Sequence, residues 1–300
     1  MLAPVVVGVD GSTESLAAAE WAAREAVRRD RPLRLLHVWD WHTRQGEGVP
    51  ASATQRYLAR QCLRRAEDRV RATCPDVRLY EQQIDGPATE ALVKAAEQAD
   101  LLVLGSRGLN GLAGFLVGSV ALGVVAKARR PVVLVRADED DGDEHLPTDD
   151  GASSTRTGCR DVVLGIDLNA PCDEVVAFAF QAARLRGARL RAVHAWHAPG
   201  PLGLGPGDIA LVSERERADE WQDFLSAVLQ PWHDKYADVR LVETVVEDRP
   251  GNTLMRAATG AGLLVVGHRL TERSFRPRIG PVTHAAIHRA GCPVAVVPHE

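Results

Sequence analysis

The sequence repeats itself, and this repeat limits the possible folds more than any other feature. Gly-Val-Asp at residues 8–10 returns as Gly-Ile-Asp at 165–167, and His-x-Trp returns at the same offset. A slightly longer offset relates two later pairs of segments, at residues 76–79 and 238–241 and at residues 101–105 and 263–267. Self-similarity at a fixed offset is typical of duplicated architectures. We therefore predict two copies of one domain, the second lengthened by an insertion after its second strand.

An acidic and polar segment separates the two copies. Residues 138–144 read Asp-Glu-Asp-Asp-Gly-Asp-Glu, and a stretch rich in Pro, Thr, Ser and Gly follows. Such a segment has almost no apolar surface to bury. We predict domains over residues 1–137 and 160–300, joined by an acidic, flexible and solvated linker over 138–159. The alternative is that the acidic segment docks onto a basic surface.

Short apolar runs alternate with helix-forming segments in each copy. The runs are rich in β-branched residues, as expected for strands covered on both faces, and the alanine-rich segments favour helices. This alternation predicts a parallel sheet with right-handed crossovers, whose ligands bind beyond the carboxyl ends of the strands. The strands of copy one are predicted at 5–9, 33–38, 77–84, 101–104 and 131–135, and the helices at 14–29, 57–73, 89–98 and 119–128.

A glycine-rich loop follows the fourth strand of copy one. It reads Gly-Ser-Arg-Gly at 105–108, and after nine residues Gly118 and Ser119 begin the next helix. Glycines allow backbone N–H groups to approach a ligand, and a helix start presents unpaired donors to an anion. The loop is neither a Walker A motif nor a GxGxxG fingerprint. On these residues alone, the glycines are compatible with a phosphate site or with a merely tight loop.

With these residues in register, the chain resembles the universal stress protein family over nearly all of both halves. ATP-binding members carry G-x2-G-x9-G-[S/T] after strand four, and positions 105, 108, 118 and 119 match it. Gly-Val-Asp-Gly-Ser after strand one and His-Val after strand two are further similarities. The resemblance implies an α/β fold of two tandem Rossmann-like domains, related to the adenine nucleotide α-hydrolases. Each would hold a five-stranded parallel sheet of order 3-2-1-4-5.

The same resemblance implies that copy one binds ATP, with Mg²⁺ assisting at the phosphates. Asp10 would meet the nucleoside, the backbone at Val38 would meet adenine, and the glycines with Ser119 would hold phosphates. No catalytic residue and no side-chain metal ligand is expected. The binding residues implied are Asp10, Gly11, Ser12, Val38, Gly105, Arg107, Gly108, Gly118, Ser119 and Val120.

Copy two departs from this pattern. Leu270 stands at the second glycine, Pro281 stands at the serine, and Leu-Asn follows Asp167 in place of Gly-Ser. A leucine side chain blocks the approach of phosphate to the backbone, and proline removes an N–H while still suiting the first turn of a helix. We expect a weakened anion site. The loop arginines either restore phosphate affinity or, as is more usual, are solvated charges: Arg269, Arg273, Arg276 and Arg278.

Several histidines invite catalytic or metal-binding interpretations. His37 and His194 end equivalent strands, and packing at the sheet edge is favoured because no recognisable nucleophile accompanies them. His284 and His288 have a spacing that can bind metal. Without an HExxH motif or a third ligand, they are interpreted as part of an ordinary helix face.

Composition restricts the partners and the compartment. The net charge of −4 gives no reason to expect nucleic acid, and neither a leader nor an apolar run long enough to span a membrane is recognisable. The five cysteines are scattered without CxxC spacing, which favours free thiols in a reducing compartment. We therefore predict a cytoplasmic protein that interacts with neither nucleic acid nor membrane.

The preferred functional prediction is a soluble, non-enzymatic regulator that binds an adenine nucleotide during stress. The alternatives are a slow ATP hydrolase or adenylyl-transfer enzyme on the same fold, and a nucleotide-free interaction scaffold. The fifth strands, at residues 131–135 and 293–297, are short, apolar and last in their sheets. Because such edges tend to be paired or covered, we predict association through these strands, between the two domains or between two chains.

Overall fold

The computed structural model describes residues 2–39, 53–106, 117–137, 144–152, 154–196, 214–270 and 279–300. The first half contains β1 (Val5–Gly8), α1 (Thr13–Arg28), β2 (Leu33–Trp39), α2 (Ala53–Thr73), β3 (Leu79–Asp85), α3 (Ala88–Glu97), β4 (Leu101–Gly105), α4 (Ser119–Val125) and β5 (Val132–Val135). The second half contains β6 (Val162–Gly165), α5 (Asp173–Arg186), β7 (Leu190–Trp196), α6 (Glu214–Lys235), β8 (Leu241–Glu247), α7 (Pro250–Ala258), β9 (Leu263–Arg269), α8 (Pro281–Arg289) and β10 (Val294–His299).

All ten of these strands form one sheet, of order β3-β2-β1-β4-β5-β10-β9-β6-β7-β8. Within each half the neighbouring strands are parallel, and their order is the predicted 3-2-1-4-5. The predicted tandem α/β architecture is confirmed. The predicted fourth helix is shorter than expected, because it ends at Val125.

The two halves are joined through their fifth strands, which pair antiparallel. Val294 lies opposite Leu134, and Val296 lies opposite Val132. This is the within-chain form of the expected pairing, and it leaves neither fifth strand as an open edge. Pairing of the same kind between two chains stays a prediction.

Helices cover both faces of the sheet, which explains the continuous apolar runs of the central strands. On one face, α1, α2, α5 and α6 pack against residues such as Val5, Val7 and Leu164. On the other face, α3, α4, α7 and α8 pack against residues such as Val6 and Leu264. Strands buried on both sides have no polar face to expose, so their sequences show no alternation.

The acidic segment between the copies is not wholly solvated. Glu144 is only 1% exposed and forms ion pairs with Arg24 at 2.9 Å and Arg28 at 2.5 Å. Backbone hydrogen bonds then tie the segment to itself, from Leu146 N–H to the carbonyl of Gly158 and from Arg160 N–H to that of Glu144. For Glu144 the expectation of a solvated residue is wrong. Its carboxylate neutralises arginines that α1 buries against the second half.

The structure bears on two predictions made from composition, one about the cysteines and one about membrane-spanning segments. All five cysteines are free thiols. Within the ranges that the structure describes, no helix is both long enough and apolar enough to span a membrane.

Candidate functional site

A cavity of about 250 Å³ lies at the carboxyl ends of β1 and β4, where the strand order of the first half reverses. This is the position at which open parallel sheets bind ligands. Seven of the predicted binding residues line it: Asp10, Ser12, Val38, Gly105, Gly118, Ser119 and Val120. Gly11 is not among the lining residues, and Arg107 and Gly108 lie outside the described residues.

Asp10 and Ser12 form a hydrogen-bonded turn at the start of α1. The Ser12 backbone N–H and hydroxyl donate to Asp10 Oδ1 at 3.0 and 2.5 Å. The same hydroxyl accepts the N–H of Ser15 at 3.2 Å and thereby caps the helix. One short sequence therefore holds the Asp10 carboxylate at the cavity edge and begins the helix beside it.

Gly11 does not line the cavity, but its backbone conformation forms the turn beside it. Its φ of +87° lies in the left-handed region that favours glycine. A Cβ on this residue would also lie 3.4 Å from the Sγ of Cys62. Burial and, to a lesser extent, the nearby charge of Asp10 raise the pKa of the Cys62 thiol to about 11, so it stays protonated.

Gly105 is required by helix packing. A Cβ on Gly105 would lie 2.6–2.8 Å from backbone atoms of Glu14 and Ser15 in the first turn of α1. Real Cβ atoms do not approach backbone so closely, so glycine alone allows β4 to end against this helix. From the sequence, Gly105 was expected to belong to a phosphate site or a tight loop, and its contact with α1 was not predicted.

Gly118 and Ser119 complete the far side of the cavity. Gly118 precedes α4 with extended backbone, and Ser119 is the exposed first residue of that helix. Sequence reasoning missed Glu14 as a lining residue and an apolar floor. The floor residues come from β2, β4 and α3 and belong to the core on one face of the sheet, so apolar character alone does not distinguish them: Leu36, Leu92 and Leu104.

His37 and His194 each form a hydrogen bond to the backbone just after the neighbouring strand, at the edge of the sheet. His37 Nδ1 lies 2.7 Å from the carbonyl oxygen of Val9, and His194 Nδ1 lies 3.0 Å from that of Ile166. Because a carbonyl only accepts, each Nδ1 carries the proton and donates. Burial lowers the pKa of His194, against the opposing effects of the Ile166 carbonyl and Asp167. The geometry supports the packing role that was favoured for these residues.

The second half has a larger cavity at the equivalent place, of about 1170 Å³. Its size follows from a later helix start: Ala170 is the repeat equivalent of Thr13, yet α5 begins only at Asp173. The helix turn that packs on Gly105 therefore has no counterpart at Gly267. The atoms closest to a Cβ on Gly267 belong instead to side chains, those of His299 and Val175, at 3.0–3.2 Å.

In copy two, the backbone at the position of the phosphate loop is hydrogen-bonded within the sheet. β9 continues to Arg269, which lies opposite His299 of β10, and the next N–H, of Leu270, donates to the His299 carbonyl at 2.7 Å. Pro281 has no N–H, and the Thr283 hydroxyl donates to the Gly267 carbonyl at 2.8 Å. These bonds support the expectation of a weakened anion site.

The remaining candidates of copy two are the loop arginines and a pair of histidines. Arg269 is exposed at the end of β9, whereas Arg273, Arg276 and Arg278 lie outside the described residues. The rings of His284 and His288 lie 4.2 Å apart on α8. In the part of the chain that the structure describes, no group of three or more possible metal ligands occurs.

Comparison with known proteins agrees with this architecture. The sequence model of the universal stress protein family matches residues 1–136 and again residues 158–298. The chain is 31% identical to universal stress protein Rv2005c of Mycobacterium tuberculosis, with 97% of this chain and 96% of the relative covered. It is 30% identical to universal stress protein Rv1996 of the same organism, over 97% and 94% of the two chains.

Solved structures share the fold. The crystal structure of a universal stress protein from Archaeoglobus fulgidus superposes with a TM-score of 0.68, covering 100% of both chains at 15% identity. A universal stress protein from Pseudomonas aeruginosa superposes with a TM-score of 0.60, at 16% identity over 98% of this chain and 91% of the other. Two family matches in one chain, and relatives aligned across both halves, lead to one conclusion. The chain belongs to the universal stress protein family, as a member with two tandem domains.

Proposed function

We propose that the first domain binds ATP and that nucleotide occupancy controls an interaction of the protein in a cytoplasmic stress response. One observation carries the proposal: Asp10, Val38, Gly105, Gly118 and Ser119, distant in sequence, line a single cavity at the strand-order reversal. A parallel sheet offers its ligand site at this point.

The cavity residues divide into parts that suit the parts of a nucleotide. Leu36, Leu92 and Leu104 form an apolar floor beside Val38, which suits a purine base. Gly118 and the Ser119 hydroxyl are suited to phosphate oxygens. The carboxylate of Asp10 is suited to accept hydrogen bonds from ribose hydroxyls.

Mg²⁺ belongs to the proposal because two acidic residues, Asp10 and Glu14, line the same cavity as the predicted phosphate residues. A polyphosphate beside them needs a cation to offset the repulsion, and Mg²⁺ is commonly held by one or two carboxylates together with phosphates. The proposal assigns no residue to the ion directly.

The proposal gives this site a binding role and no catalytic step. Among the described lining residues there is no lysine, arginine or histidine to stabilise a transferring phosphoryl group. The second candidate is slow ATP hydrolysis, and the observation that favours it is the same pair of acidic residues, either of which is a possible base for water.

Isothermal titration of the full chain with ATP and Mg²⁺ tests the proposal, together with heat release of any nucleotide that copurifies. We expect about one nucleotide per chain, retained as ATP; release of ADP after incubation with ATP favours hydrolysis. Val38→Phe fills the first cavity and should remove binding, whereas Ala195→Phe, its repeat equivalent, should not. No binding at millimolar ATP contradicts the proposal and leaves the scaffold alternative.

A further inference from the structure

We propose that the second cavity binds a flat aromatic molecule carrying at most one anionic group, and not a nucleoside triphosphate. The proposal goes beyond ATP binding by the first domain and concerns different residues. It rests on what lines this cavity and on what copy two has gained relative to copy one.

Two indole rings line the second cavity, those of Trp196 and Trp221. By the offset that relates Leu63 of α2 to Leu225 of α6, the equivalent of Trp221 in copy one is Ala59. Trp39, the equivalent of Trp196, is absent from the described lining of the first cavity. Among the described lining residues, large aromatic side chains therefore occur at the second cavity and not at the first. Such rings bind flat molecules by stacking.

The indole rings are held in place by polar neighbours. Trp221 packs at 4.9 Å from the ring of His194, which the Ile166 carbonyl fixes. The guanidinium of Arg217 lies 5.8 Å from the centre of the Trp196 ring. A rigid aromatic wall loses little conformational freedom when a ligand binds to it.

Trp196 also carries a polar group that the described structure leaves without a partner. Its side chain is 7% exposed, and its buried indole N–H has no hydrogen-bond acceptor. A buried unpaired donor is costly, and nearly all such groups in folded proteins are paired. An acceptor atom on a ligand that lies against this ring would satisfy the N–H.

The charges around the cavity limit the ligand to a small negative charge. Arg217 and Arg269 offer positive charge at the wall, which suits one anionic group. Two donors at the position of the copy-one phosphate loop, the Leu270 N–H and the Thr283 hydroxyl, are already bonded to the sheet and are not offered to a polyphosphate. Aliphatic side chains also line the wall, those of Ile166, Val175, Leu254, Val266 and Val282.

The test uses the full chain and 8-anilinonaphthalene-1-sulfonate, an aromatic probe with one sulfonate. We expect one probe molecule per chain, observed by titration calorimetry and by quenching of tryptophan fluorescence. Trp221→Ala, which restores the residue of copy one, should weaken binding about tenfold. Trp221→Phe keeps an aromatic ring and should retain most of the affinity, which separates loss of stacking from loss of the fold.

The matched cavity-filling variants locate the probe. Ala195→Phe should abolish probe binding and leave ATP binding unchanged. Val38→Phe should abolish ATP binding and leave probe binding unchanged. Displacement of the probe by ATP in the Val38→Phe variant overturns the proposal, as does equal probe binding by wild type and Ala195→Phe. Failure of ATP to bind wild type contradicts the proposed function of the first domain but leaves this inference standing.

Discussion

Glu25 of α1 and Arg186 of α5 form an ion pair at 2.7 Å, and each side chain is only 1% exposed. This pair connects the two halves on the face opposite α4 and α8. Glu25 also bonds Arg29 at 2.6 Å. Arg29 and Arg186 are repeat equivalents, but the equivalent of Glu25 is Ala182. One carboxylate therefore lies between two equivalent arginines, and the halves are complementary rather than identical.

The aromatic neighbours of these arginines follow the same pseudosymmetry. Arg29 lies 5.2 Å from the ring centre of Phe178, and Arg186 lies 5.6 Å from that of Trp21. Phe178 and Trp21 are also repeat equivalents. Each half thus places an arginine over an aromatic ring of the other half, an arrangement in which a buried cation is stabilised by the ring.

The first prediction concerns Glu25→Gln. The substitution leaves Arg186 buried without its carboxylate partner and leaves Arg29 with Asp100 alone, so we expect the free energy of unfolding to fall by about 3–5 kcal/mol. Glu20→Gln on the same helix is the matched control, because Glu20 pairs with an arginine that is 60% exposed and should contribute at most about 1 kcal/mol. Denaturant unfolding measures both, and equal losses would contradict the role of Glu25.

The second prediction is the acid dependence of stability. Burial alone would raise the pKa of Glu25, but Arg186, Arg29 and Arg28 outweigh it and lower the pKa from 4.5 to about 2. A carboxylate with a lowered pKa stabilises the fold above its unfolded value and loses that effect as the pH falls through its folded value. Stability should therefore decline between about pH 4.5 and pH 2. The decline should be smaller in Glu25→Gln, as unfolding at a series of pH values will measure.

The third prediction concerns the segment between the domains. Glu144→Gln removes the charge that neutralises Arg24 and Arg28, and should both destabilise the fold and expose residues 145–159 to protease. Asp149→Asn, an exposed change in the same segment, should alter stability by less than about 0.5 kcal/mol. If limited proteolysis proceeds at the same rate in both variants, Glu144 does not hold the segment.

The fourth prediction compares two equivalent glycines. Gly105→Ala forces a Cβ against the backbone of α1, so we expect a loss of about 1–3 kcal/mol, as in overpacked cores, and weaker ATP binding. Gly267→Ala meets only the side chains of His299 and Val175, which can move, and should cost less. Thermal unfolding measures the loss of stability in both variants, and a larger loss for Gly267→Ala than for Gly105→Ala would refute the packing argument.

The fifth prediction exchanges the loop residues of the two copies. Gly108→Leu should weaken ATP binding at least about a hundredfold, since two charge-assisted contacts of roughly 1.5–3 kcal/mol each would be lost. Leu270→Gly with Pro281→Ser should restore affinity only in part, because the N–H of residue 270 is bonded to His299. Calorimetric stoichiometry is the measurement, and two equal sites in wild type would be incompatible with this asymmetry.

Local residue patterns were enough to determine the tandem α/β domains and the position of the first cavity. The apolar runs of β1 and β4 require cover on both faces, and a parallel sheet brings Asp10, Gly105 and Ser119 to one edge whatever the details of packing. Backbone conformation beside the cavity is likewise determined by the local sequence, as the left-handed Gly11 illustrates.

Contacts between residues far apart in the chain decided the rest. The antiparallel pairing of β5 with β10, the burial of Glu144 between arginines, and the wide second cavity all depend on surfaces that meet only after folding. The packing role of Gly105 is of the same kind, because it arises from the approach of α1 to β4. Sequence patterns report which faces of an element are apolar, but the free energy of placing two charged or bulky groups together depends on their tertiary neighbours.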